Sequence, residues 1–221
     1  MIALSVLFRY ADLSFILFKH PELMAKFDND IVSPSTPRMG NALTRWVGQT
    51  ILDGLGWRLS GELPDEKKII IVGAPHTSNW DLIIAMACVL AVGLKFNWMM
   101  KKEAFIWPFG ALWRSLGGIP IDRSQKNDVV GQITEWFEKE DQLWLGITPE
   151  GTRTKVDAYK KGYLRIAYAT KAPIFIIGIK ADTKEIVLDK QWPLTFDIEQ
   201  DNRKIKAYFD ETFVGIRSEN S

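Results

Sequence analysis

Apolar positions recur along this chain in two different registers, one before residue 57 and one after it. Residues 2–18 are largely apolar, and Ser5, Arg9 and Asp12 fall at i, i+4 and i+7, one narrow helical stripe. The stretch predicts an amphipathic helix with a broad apolar face. It is too short and too charged for a bilayer span, which takes about 20 apolar residues. Two placements fit it: packed on its own domain, or lying in a membrane interface. No basic segment precedes it and no small-residue cleavage site follows, which argues against a secretory signal. Asp28-Asn29-Asp30 and Ser33-Pro34-Ser35-Thr36-Pro37 then break the pattern as loop. Met39, Leu43, Trp46, Val47, Ile51 and Leu55 return at spacings of three and four, and Gly54 and Gly56 stop this second helix. Residues 1–56 therefore read as an amphipathic two-helix appendage, and residues 57–221 as a separate module.

Inside that module the period changes. Lys68-Ile69-Ile70-Ile71-Val72-Gly73 is a continuous β-branched run, the pattern of a strand covered on both faces. Apolar helical patterns follow at 82–94 and 108–116, and an amphipathic one at 128–140 turns Val129, Ile133, Trp136 and Phe137 inward. A further helix is expected at 162–170. Strands are expected at 96–100, 119–121, 143–147, 173–179, 185–188 and 204–209. Strands alternating with helices predict an α/β fold: a mixed, centrally parallel sheet flanked by helices, with the N-terminal two-helix appendage attached.

Composition narrows the function classes. Lys plus Arg total 28 against 27 Asp plus Glu, a net charge of +1, which excludes a protein built to coat nucleic acid. Apolar residues at 47% and charged residues at 25% describe a globular chain. A single cysteine, Cys88 in an apolar run, rules out an internal disulfide and a zinc site built from cysteines. Two histidines, His20 and His76, leave no basis for a polyhistidine metal centre, and no metal site is expected.

In an open α/β sheet, ligands sit beyond the carboxyl ends of the strands. Three polar clusters fall there: Pro75 to Asp81, Asp122-Arg123-Ser124, and Thr148 to Lys155. His76 stands just before a helix and Asp81 in its first turn. A carboxylate there can accept from one imidazole nitrogen, fixing the tautomer and leaving the other nitrogen free as a base. Asp81 also suits a plain first-turn charge, and Ser78 or Asn79 a plain N-cap. Glu150-Gly151-Thr152-Arg153 follows a strand directly; its backbone donors and Arg fork suit a phosphate, and equally a turn with a surface salt bridge.

Four strings now stand in order: His76-Thr-Ser-Asn-Trp-Asp81 (a His-x4-Asp motif), Gly117-Gly-Ile-Pro-Ile-Asp-Arg123-Ser124, Pro149-Glu-Gly-Thr-Arg153 and Ala172-Pro-Ile-Phe-Ile-Ile-Gly178. Together they resemble the four blocks of the glycerolipid (lysophospholipid) acyltransferase family, over nearly half the chain. Lys101-Lys102-Glu103-Ala104 resembles the family's Lys-x-Glu-Leu segment, with Ala104 in place of Leu, and Lys160-Lys161-Gly162 its basic-Gly step. Thr148 stands where the family often has an aromatic residue, and Ile176 and Ile177 where it has a second proline.

The resemblance implies an O-acyltransferase of lipid metabolism. Its donor would be acyl-CoA or acyl carrier protein as co-substrate, with no further cofactor. Its acceptor would be a lysolipid such as 1-acyl-glycerol-3-phosphate. His76 would take the hydroxyl proton, with Asp81 orienting the imidazole. Lys101, Arg123, Glu150, Gly151, Thr152 and Arg153 would serve the acceptor, Glu150 by orienting an Arg or a hydroxyl. An acceptor without a glycerol phosphate, such as an amino-acid-based lysolipid, and a non-catalytic lipid-binding protein are the alternatives. Amphiphilic substrates imply a membrane surface as partner and a peripheral or monotopic place on the cytoplasmic face. Trp46, Trp57, Trp98, Trp107 and Trp113 lie in or near apolar segments, and Phe105 to Phe109 form a candidate wedge; interfacial and core placement both fit tryptophan.

Overall fold

Ile69 and Ile71 face one way along β2 (Lys68–Ala74), Ile70 and Val72 the other, and a separate core closes over each side. The computed structural model describes residues 32–122, 124 and 129–216. The helix expected over residues 2–18 lies outside the described residues, as does Arg123. Seven strands form one sheet in the order β1-β7-β6-β2-β5-β3-β4. These are β1 (Arg58–Gly61), β2, β3 (Asn97–Lys101), β4 (Gly118–Ile121), β5 (Leu143–Ile147), β6 (Ile174–Lys180) and β7 (Glu185–Trp192). The stretch from β6 to β4 is parallel throughout, β7 runs antiparallel to β6, and β1 pairs parallel with β7. The mixed, centrally parallel sheet is thus as expected.

The described helices are α1 (Ala42–Leu55), α2 (Asn79–Val92), α3 (Phe109–Ser115), α4 (Val129–Lys139), α5 (Gly162–Thr170) and α6 (Ile198–Thr212). On one face, Ile70, Val72 and Ala74 pack with Ile133 and Phe137 of α4, Leu164 and Ile166 of α5, and Ile205 and Phe209 of α6. On the other, Ile69 and Ile71 pack with Ile84, Ala87, Ala91 and Val92 of α2 and with Leu52 of α1. A helix layer therefore covers each face, which is why the central strands read as unbroken apolar runs.

Two elements differ from the sequence pattern. The strand expected at 204–209 is instead part of α6. Asp197 caps that helix, its carboxylate accepting from the Glu199 and Gln200 amides at 3.0 Å each. The buried positions Asp201, Ile205 and Phe209 recur every four residues, so the helical period wins over the short Lys-Ile-Lys-Ala alternation. Asp201 ties the helix down from its buried face, accepting from the Thr195 hydroxyl at 2.7 Å and from the Tyr168 hydroxyl. The second difference is β1, four residues with no apolar alternation to announce them; its register is set by pairing with β7.

Helix α1 starts at Asn41, whose side chain accepts from the Thr44 amide while the Thr44 hydroxyl accepts from the Asn41 amide. It lies directly on α2 at Gly48. A Cβ at that position would stand 2.4 Å from the Ala91 nitrogen and 2.5 Å from the Ala87 carbonyl oxygen. Both neighbours are backbone and cannot rotate away. Gly48→Leu is therefore expected to cost about 1–3 kcal/mol by overpacking and to lower the midpoint of thermal unfolding by roughly 5 °C for a chain of this size. An unchanged midpoint would show that α1 does not need this close approach.

Candidate active site

The carboxyl ends of β2, β5 and β3 are neighbours in the sheet, and each runs straight into a polar loop. Strands stand about 4.8 Å apart, so the loops after β2 and β5 are in contact range and the loop after β3 is one strand further on. The β2 loop carries His76 and enters α2 at Ser78. Ser78 is an N-cap, its hydroxyl accepting from the Trp80 amide at 3.1 Å. Asp81 completes the cap from the third helical position, accepting the Ser78 amide at 2.6 Å and the Thr77 amide as well.

The same Asp81 oxygen, Oδ2, lies 3.3 Å from His76 Nδ1. Burial pushes the Asp81 carboxyl up, but the His76 contact and the two backbone amides outweigh it and hold the group below the ordinary carboxylate range. An ionised carboxylate only accepts, so the hydrogen between the two groups sits on Nδ1, and in the neutral form of the ring Nε2 then carries the lone pair. The Asp81 side chain is 4% exposed and the His76 side chain 22% exposed, so the pair is buried at its carboxylate end and open at its ring.

From the β5 side comes Glu150, a buried carboxylate whose Oε2 accepts the His76 backbone amide at 2.7 Å. Burial raises this carboxyl above its ordinary value, the His76 amide opposing the shift only in part. Gly151 follows with φ +63°, a left-handed turn that carries the chain out to the surface. Thr152 and Arg153 are exposed; the Thr152 hydroxyl pairs with that of Thr154 at 3.1 Å. Among the described residues Arg153 makes no hydrogen bond or ion pair. Lys160 returns to this loop, its amide donating to the Pro149 carbonyl at 2.9 Å.

Lys101 ends β3 and is exposed. Its neighbour Lys102 is engaged with Asp122 at the end of β4. The Lys102 ammonium and the Ser124 hydroxyl and amide hold the Asp122 carboxyl down at about 2. Gln132 of α4 brackets the same residue, accepting from the Asp122 amide at 2.9 Å and donating to its carbonyl at 3.1 Å. This latch went unread in the sequence. The contact follows from the parallel register, which sets Lys101 opposite Ile121 and so Lys102 next to Asp122. His76, Asp81 and Glu150 are thus brought into direct contact, whereas Lys101, at the exposed end of β3, and Gly151, Thr152 and Arg153, on the exposed loop after β5, do not join that contact. Among the described residues no group of three or more His, Cys, Asp or Glu side chains gathers as a metal site would require.

Apolar side chains line the same edge of the sheet. Trp80, Leu82 and Ile83, at the start of α2, are 53%, 57% and 44% exposed. Ile106 and Trp107, just beyond β3, are 64% and 92% exposed. Trp57, by contrast, is a core residue. No described helix is long and apolar enough to cross a membrane.

The family model for acyltransferases matches residues 58–180, from β1 to the end of β6. The chain belongs to the acyltransferase family. The matched span contains all the loops just described. No curated protein matches this acyltransferase. Among solved structures it is similar to the crystal structure of the 1-acyl-sn-glycerophosphate (LPA) acyltransferase PlsC from Thermotoga maritima. The two share 18% identity over 77% of this chain and 78% of the other, with a TM-score of 0.54, so they share the fold.

The lowered carboxyl of Asp81 gives a pH signature. Its contribution to stability is fully present above the unfolded value near 4 and is lost as pH falls through the lower folded value. Urea unfolding of wild type and Asp81→Asn should therefore show a wild-type advantage that is constant from pH 5 to 8 and shrinks below about pH 4. An advantage unchanged by acid would mean that the charge of Asp81 is not what holds the loop.

Proposed function

We propose that this acyltransferase moves a fatty acyl group from acyl-CoA or acyl carrier protein to the hydroxyl of a lysolipid such as 1-acyl-glycerol-3-phosphate. The carrying observation is the His76–Asp81 contact of 3.3 Å, with the imidazole open to solvent at the carboxyl edge of the sheet. Nε2 takes the proton from the acceptor hydroxyl, and the oxygen attacks the thioester carbonyl. The tetrahedral intermediate collapses, the C–S bond breaks, and the thiolate leaves with the proton that Nε2 has held. Asp81 keeps the ring in the required tautomer and stabilises the imidazolium between the two transfers. The nucleophile is the substrate's own oxygen, so the enzyme needs no serine or cysteine.

The acceptor's phosphate is assigned to Arg153 and Arg123, with Lys101 adding positive charge at the same mouth. Arg153 supports this by its exposure and by making no ion pair among the described residues. The T. maritima relative, named for 1-acyl-sn-glycerophosphate, supports the choice of acceptor. The apolar rim of Trp80, Leu82, Ile106 and Trp107 supports a peripheral place on a membrane surface, at the cytoplasmic face where the thioester donors are made. The active site then opens toward the leaflet that holds the lysolipid.

The first test is transfer from labelled oleoyl-CoA by the purified chain, with lysophosphatidic acid, an amino-acid-based lysolipid or water as acceptor. Transfer to lysophosphatidic acid is expected, and His76→Ala should reduce it about 10³-fold or more while the thermal midpoint stays put. Equal activity in the mutant would remove His76 from the chemistry, and preference for another acceptor would replace the assigned headgroup. Arg153→Ala should raise the acceptor KM by roughly 10–100-fold, the worth of one charge-assisted contact, with kcat little changed. Unaltered kinetics would take Arg153 out of the acceptor site. Trp107→Ser should weaken binding to anionic vesicles by about tenfold; unchanged partitioning would mean that this rim does not meet the membrane.

A further inference from the structure

We infer that Glu150 is a positioning residue that acts through the backbone of His76, and not a ligand of the acceptor. The inference rests on the proposed role of His76 as base. Its observation is the 2.7 Å hydrogen bond from the His76 amide to Glu150 Oε2. Two buried carboxylates thereby hold one residue by different parts. Asp81 holds the ring at Nδ1, and Glu150 holds the main chain. A ring held only at Nδ1 still pivots with its own Cα. Anchoring the amide removes that freedom and fixes where Nε2 meets the incoming hydroxyl. A misplacement of about 1 Å at a reacting atom can cost on the order of 100-fold in rate.

Charge supports the assignment. A carboxylate repels a phosphate, so Glu150 gains nothing by facing an anionic headgroup. Its burial already works against its ionised form, as does the nearby charge of Asp81. The His76 amide is its hydrogen-bond donor among the described residues. The next three residues face the other way: Gly151 turns the chain at φ +63°, and Thr152 and Arg153 emerge exposed. The string Glu-Gly-Thr-Arg therefore divides at its glycine. Its inner end sets the base, and its outer end meets the acceptor. Because β5 pairs directly with β2, a single loop joins both tasks.

The test uses the full chain, with steady-state transfer from oleoyl-CoA to lysophosphatidic acid on vesicles and 15N NMR of the His76 imidazole, its signal assigned by loss in His76→Ala. Glu150→Ala should lower kcat about 100-fold with the acceptor KM within about threefold, the split expected when ground-state binding is untouched. Its His76 imidazole signals should move from their wild-type positions, while the Nδ1–H tautomer that Asp81 sets is kept. Glu150→Gln, whose amide oxygen can still accept, should return kcat to within about tenfold of wild type and bring the imidazole signals back to their wild-type positions. A raised KM with kcat intact in Glu150→Ala would overturn the inference in favour of acceptor binding. Losses in both variants with an unperturbed imidazole signal would overturn it in favour of a purely structural carboxylate. The imidazole spectrum does not depend on any substrate. If wild type transfers nothing to any acceptor, the proposed function fails, and the spectra of the two variants still decide whether Glu150 sets His76.

Discussion

One buried carboxylate does three jobs at the edge of the sheet, and the geometry of the site follows from it. Asp81 accepts the amides of Thr77 and Ser78, which closes the first turn of α2, and its Oδ2 also faces His76 Nδ1. The helix cap and the histidine orienter are thus the same group. The His76 contact and the Ser78 and Thr77 amides at the start of the helix together hold the Asp81 carboxyl below its ordinary value although it is buried. The ring beside it is therefore held in one tautomer without a separate structural device. The arrangement is local: it needs only a tight loop between β2 and α2.

What the local arrangement cannot supply is the surrounding mouth, and that comes from topology. Five parallel strands put the loops after β2, β5, β3 and β4 on one edge. The helices that return between them form the two layers over the cores. β5 lies between β2 and β3, so its loop borders the loops of both. Glu150 reaches the His76 amide from that position, while the Lys102–Asp122 pair closes the far side where β3 and β4 run together. In the proposed reading, a reactive centre, an anion-binding loop and an apolar rim then share one side of the molecule. That is what a water-soluble donor and a bilayer-held acceptor require.

The legible parts of the sequence are those whose signal is short-range. The β-branched run at Ile69 to Val72, the strand Leu143–Ile147 and the helix Gly162–Thr170 announce themselves by period and composition. The pairing of His76 with Asp81 follows from a loop-to-helix junction only six residues long. The rest depends on partners distant in the chain. Alternation at Lys204 to Phe209 imitates a strand because two apolar residues four apart, Ile205 and Phe209, also fit a short period-two pattern. The buried Asp201 and the cap at Asp197 decide for helix. Glu150 was expected to orient an Arg or a hydroxyl; its contact with a backbone amide 74 residues away is set by strand order, which no local pattern records. Lys102 and Asp122 meet for the same reason.

The claim at the centre of this account is that the acceptor's oxygen, activated by His76, attacks the thioester directly. A rapid-quench experiment with oleoyl-CoA tests it, following free thiol and the intact mass of the protein with and without lysophosphatidic acid. The account predicts no acylated protein at any time and thiol release that waits for the acceptor. A stoichiometric burst of thiol before acceptor is added, with the acyl group on the protein, would contradict it.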